Sequence, residues 1–80
     1  MPDYRTLVEY IVQRLVTHPD EVHVETDTDS RGVIKVTIRA AQDDIGRIIG
    51  KRGATINSIR LLTKASAVKS SDRVDVDIEE

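Results

Sequence analysis

The chain contains no cysteine, so neither a disulfide frame nor a thiolate metal site is available to it. That absence suits a reducing cytosol, and the protein is read as cytoplasmic. Tryptophan and phenylalanine are also missing and no aromatic follows Tyr10, so the core must be aliphatic. Apolar runs stop at two or three residues, too short to span a membrane. Met1–Thr6 is polar and charged, unlike the apolar segment behind a basic start that marks a signal peptide. The only histidines, His18 and His23, form no metal cluster or catalytic arrangement and read as structural or surface residues. The most informative absence is acidic: from Ile45 to Ser71 there is no Asp or Glu, while Arg47, Lys51, Arg52, Arg60, Lys64 and Lys69 carry six positive charges. The rest of the chain holds six basic and fourteen acidic residues, so the net charge of −2 conceals a positive segment on an acidic body. Within a Debye length of about 8 Å, local potential matters more than that total.

What is present fits one small domain of 80 residues, 1–80, with a thin core and something to gain from a partner. Residues 3–17 have helical periodicity, with Asp3 as cap after Pro2 and a stripe of Tyr4, Leu7, Val8, Ile11 and Leu15, widened by Val12 and Val16. Pro19 should stop this helix, leaving His18 at its end. Residues 21–28 and 33–40 alternate as strands around the turn Asp29–Gly32 and predict a hairpin with acidic residues facing basic ones. Gln42–Ile49 reads as a short helix with Asp43 and Asp44 complementing its dipole. Gly46 inside it points to a close approach by another group or to packing against a neighbour. Ala54–Ser66 is a second helix with Ile56, Ile59 and Leu62 in one arc, while Leu61 and Ala65 point elsewhere, the mark of an enclosed or partnered helix. Residues 73–79 form a last strand. The order α-β-β-α-α-β predicts an α+β fold, a three-stranded sheet with three helices packed on one face.

Between the two later helices lies the turn Gly50-Lys51-Arg52-Gly53. Glycines permit unusual dihedrals and a close approach, and two cations at the tip suit a negatively charged backbone. The spacing of Gly46, Gly50 and Lys51 is one residue short for a phosphate-binding P-loop, and Arg52 stands where the magnesium-binding hydroxyl belongs. The dinucleotide fingerprint fails too. No acid/base pair sits in an apolar setting, so the protein is read as no enzyme, without cofactor, metal or small-molecule substrate.

The segment IIGKRGATINSI resembles the KH domain, a module for RNA and single-stranded DNA built on a GXXG turn. The isoleucine pair before the turn, the apolar residue three after it and the acid-free flanks carry the likeness. A helix and strand ahead of the first core strand resemble the type II form. The whole chain, with HPDEV, DDIGRIIGKRG and SIR, is similar to the small bacterial stand-alone KH proteins of the KhpA type. The resemblance implies that Gly50, Lys51, Arg52 and Gly53 grip the backbone of about four unpaired nucleotides. It implies an aliphatic groove drawn from Ile45, Ile48 or Ile49, and Ile56, with Arg47 and Arg60 as phosphate or base-edge contacts. It further implies an RNA chaperone or post-transcriptional regulator, linked in some bacteria to cell elongation and cell wall growth. Such a protein would form a homodimer, or a heterodimer with a larger KH-domain protein. Aromatic stacking is unavailable here, and a single module should bind weakly. The competing reading is a protein–protein adaptor in an RNA-processing or ribosome-associated complex.

Overall fold

Asp3 starts the first helix as the sequence suggests, its carboxylate accepting from the Thr6 N–H at 3.0 Å. The computed structural model describes residues 3–80, so Pro2 ahead of this cap lies outside the described residues. The elements are α1 (Tyr4–Gln13), β1 (His23–Thr28), β2 (Val33–Arg39), α2 (Ile45–Ile49), α3 (Ala54–Val68) and β3 (Arg73–Ile78). Short 3-10 turns occupy Pro19–Glu21, Gln42–Asp44 and Lys51–Gly53. The order is the predicted one.

The sheet runs β1-β2-β3, with β1–β2 antiparallel and β2–β3 parallel. In the hairpin Asp27 stands opposite Lys35, while Glu25 faces Thr37 and reaches Arg39 at 3.5 Å. Val24, Val36, Ile38, Val74 and Val76 line the inner face, and with Tyr4, Val8, Val12, Ile48, Ile56, Ile59 and Ala67 they make the core. The outer face, with Glu25, Asp27, Lys35, Arg39, Asp75 and Asp77, is exposed. That one-sided burial follows from alternation with a period of two.

The first helix is shorter than its periodicity predicts. It ends at Gln13, well ahead of Pro19, which instead opens a 3-10 turn. The cause is Asp44. Its carboxylate accepts from the N–H groups of Thr17 (2.9 Å) and His18 (3.0 Å) and from the Thr17 hydroxyl (2.8 Å). In a continued helix those two N–H groups would point back to the preceding turn. Leu15 is therefore on the surface, and the buried stripe is Tyr4, Val8 and Val12. The strand predicted from residue 21 begins at His23, because the 3-10 turn takes up Glu21.

The inward row of α3 also differs from the predicted arc. Leu62, grouped with Ile56 and Ile59 by the sequence, is 55% exposed, and the inner row is Ile56, Ile59, Thr63 and Ala67. Thr63 tolerates complete burial because its hydroxyl donates to the Ile59 carbonyl at 2.7 Å.

Candidate functional site

α2 is five residues long and ends on Gly50, whose N–H returns to the Gly46 carbonyl at 2.8 Å. The chain then turns sharply. Gly50 has φ +76° and ψ 175°, a region open essentially only to glycine. A Cβ there would also strike the Thr55 side chain and come within 2.8 Å of the Thr55 nitrogen. Gly53, at φ +77° and ψ 12°, lies in the left-handed region, but its nearest neighbour would be 3.7 Å away. One glycine is demanded by dihedral and space together, the other by dihedral alone.

Arg52 stands between them at φ +58° and ψ 27°, a left-handed conformation that costs an L-residue roughly 1–2 kcal/mol. Lys51 and Arg52 are both exposed, and neither joins an ion pair or side-chain hydrogen bond among the described residues. Their main-chain N–H groups likewise make no turn hydrogen bond among the described residues. The tip thus presents two exposed cations beside two main-chain N–H groups that no turn carbonyl takes, a combination that suits an anion.

The flank beside the tip is less apolar than the sequence suggests. Ile48 is fully buried and Ile56 only 4% exposed, both in the core cluster; Ile45 is 9% exposed. Ile49 alone of these four is half-buried. Gly46 is exposed, and a Cβ there would meet nothing within 4 Å. Packing against a neighbour, one of the two explanations for this glycine, is therefore excluded. A strip of bare main chain is left open on the surface of α2.

The other two arginines assigned to the site are committed differently. Arg47 is exposed and makes a loose 3.8 Å pair with Asp44. Arg60 reaches from α3 to the edge strand β3: its Nε–H donates to the Val76 carbonyl at 2.9 Å, Nη2 to Asp77 at 3.3 Å and Nη1 to Asn57 at 3.1 Å. Asn57, absent from the sequence reading, enters only because Arg60 folds back on it.

Asp44 is the buried charge behind this region. Read from sequence as a complement to the helix dipole, it is completely buried. Burial alone would raise its pKa; the hydrogen bonds from Thr17 and His18 outweigh that and hold it at about 2. It ties the loop after α1 to the entry of α2, fixing the helix that carries Gly46, Arg47 and Ile49.

Residues 5–78 match the family described as KhpA/KhpB, KH domain. The chain is 39% identical over 74 residues to the RNA-binding protein KhpA of Halalkalibacterium halodurans, covering 92% of this chain and 96% of the relative. It is 40% identical over 74 residues to RNA-binding protein KhpA of Clostridium acetobutylicum, covering 92% and 97%. The KhpA of Borreliella burgdorferi is 39% identical over 72 residues, covering 90% and 87%. Among solved structures, an Aquifex aeolicus Era variant bound to GDP and aluminium fluoride superimposes with a TM-score of 0.63 at 19% identity, over 94% of this chain and 29% of Era. Era in complex with MgGDPNP and nucleotides 1506–1542 of 16S ribosomal RNA gives 0.64 at 19% identity, over 94% and 28%. The Era likenesses establish shared fold.

Proposed function

The chain belongs to the KhpA/KhpB family of KH domains, and from that premise we propose that it binds single-stranded RNA through the Gly50–Gly53 turn. The observation that carries this reading is the outward-facing pair Lys51–Arg52 on a corner that holds Arg52 in a strained backbone conformation. Phosphodiester oxygens sit against the two cations and the N–H groups of the turn. Bases lie along the bare Gly46 backbone and Ile49, with Arg47 near the phosphates. The relatives bear the name RNA-binding protein, and one structural neighbour is held with ribosomal RNA. In this reading residues 1–80 act as a single KH unit, with no reaction of their own. The protein works in the cytoplasm as an RNA chaperone or post-transcriptional regulator, in the service of cell shape and wall growth.

The test is charge reversal. Lys51→Asp with Arg52→Asp should abolish anisotropy changes on a short unstructured RNA and leave the far-ultraviolet circular dichroism intact. Two neutralised phosphates on a single strand imply a slope of about −1.4 in log K against log salt. Undiminished binding by the reversed protein refutes the reading.

A second reading, self-association or pairing with a larger KH protein, is favoured by one observation. Leu61 (71%), Leu62 (55%) and Val68 (74%) are exposed along α3. Leu61→Glu should then lower the mass seen in sedimentation; a monomer before and after the change counts against it.

A further inference from the structure

Arg60 is placed by its neighbours in a way that selects what it binds. A guanidinium has five N–H donors. Here Nε–H is committed to the Val76 carbonyl, one Nη2 hydrogen to Asp77 and one Nη1 hydrogen to Asn57. One donor remains on each terminal nitrogen, enough in number for a two-acceptor partner. The three acceptors hold the fork in place, so little rotamer freedom remains to be lost on binding.

Position links this fork to the turn. The Asn57 amide nitrogen lies 3.7 Å from where a Cβ would stand on Gly53, and its oxygen accepts from Arg60. Six residues of helix separate Ala54 from Arg60, a rise of about 9 Å. A polar ladder thus runs from the turn along α3 to the open edge of the sheet, where nucleotides adjoining those held at the turn would lie. The Asn57 amide group and the uncommitted Arg60 hydrogens make the ladder rich in N–H donors, while the Asn57 oxygen keeps one lone pair beside its bond to Arg60. The exposed Asp77 carboxylate, 3.3 Å from the guanidinium, opposes a phosphate at this point and leaves a neutral acceptor edge unopposed.

We propose that Arg60, held by Asn57, Val76 and Asp77, is a specificity-determining residue that reads the O6/N7 edge of a guanine in the bound single strand. The inference rests on the RNA-binding reading above and deepens it. Guanine offers two acceptors side by side on that edge, whereas adenine sets an amino donor beside N7 and would face donor to donor.

The experiment measures anisotropy of labelled uridine hexamers carrying one guanosine, adenosine, inosine or 7-deazaguanosine, moved through each position. Guanosine at one position should bind about tenfold more tightly than adenosine. Inosine, which keeps O6 and N7, should match guanosine; 7-deazaguanosine, which lacks N7, should lose the gain. Because these arms use the unaltered protein, folding does not enter. Arg60→Met, with circular dichroism as its folding check, should lose the guanosine preference and bind the guanosine and adenosine hexamers alike. Equal binding of guanosine and adenosine at every position overturns the proposal, as does full binding of 7-deazaguanosine or a preference that survives Arg60→Met. The two readings fail separately. Binding that vanishes on reversal of Lys51 and Arg52 but ignores base identity removes only this inference. Binding indifferent to that reversal removes the RNA-binding reading beneath it.

Discussion

Replacing Gly50 by alanine should damage this domain far more than the same change at Gly53, although the sequence presents them as matched ends of one turn. At Gly53 the new methyl meets nothing nearer than 3.7 Å, so the penalty is that of a left-handed residue, about 1–2 kcal/mol. At Gly50 the backbone lies in a region that costs other residues about 1–3 kcal/mol. The methyl also runs into Thr55, including its main-chain nitrogen at 2.8 Å, and crowding of that kind adds about 1–3 kcal/mol. The combined penalty, about 4 kcal/mol, equals the lower end of the stability expected of so small a domain, roughly 0.05–0.15 kcal/mol per residue. Urea unfolding followed by far-ultraviolet circular dichroism, at matched m-values, measures both variants. Gly53→Ala should lower Tm by about 5–10 °C and still fold; Gly50→Ala should be largely unfolded at the same temperature. Adding Thr55→Ala to Gly50→Ala should recover part of the loss, since it removes the hydroxyl but not the backbone nitrogen. Equal penalties at the two glycines, or complete rescue by Thr55→Ala, would refute the reasoning.

Arg52→Asn should stabilise the fold by up to about 1 kcal/mol, because asparagine tolerates the left-handed conformation. The same variant should bind RNA more weakly, seen by pairing thermal melts with anisotropy. Gly46→Ala should likewise leave the fold no less stable, since the space is open and alanine favours helix by about 1 kcal/mol. Any loss of RNA affinity in that variant then reports a ligand lying on the backbone of α2. Asp44, held at about 2 when folded against an ordinary 3.8, contributes stability that is present above pH 3.8 and lost as pH falls toward 2. Asp44→Asn should lower Tm at pH 7, because an amide cannot accept from all the N–H groups of Thr17 and His18. It should also shrink the Tm difference between pH 5 and pH 2.5; an unchanged difference would show that Asp3 and Asp29, also lowered, carry the acid transition.

Local chemistry settled the order of elements, the hairpin about Asp29–Gly32 and the sharp corner at Gly50–Gly53. Alternation, helical spacing and glycine each act within a few residues, so they can be read along the chain. The cation pair at the corner was legible for the same reason. Burial was another matter. At about 100° per residue, Thr63 and Ala67 fall closer to the line of Ile56 and Ile59 than Leu62 does, but a polar threonine looks unfit for a core until its hydroxyl is seen bonded within the helix. The end of α1 depended on Asp44, which lies 27 residues from Thr17, and the role of Arg60 depended on Val76, 16 residues away. Those partners meet only when α1, α2, α3 and β3 have packed. The sequence alone therefore determined where the backbone turns and which charges stand at the turn. Tertiary structure decided which isoleucines fill the core, which carboxylate is buried and which arginine is held, because each depends on groups brought together across the fold.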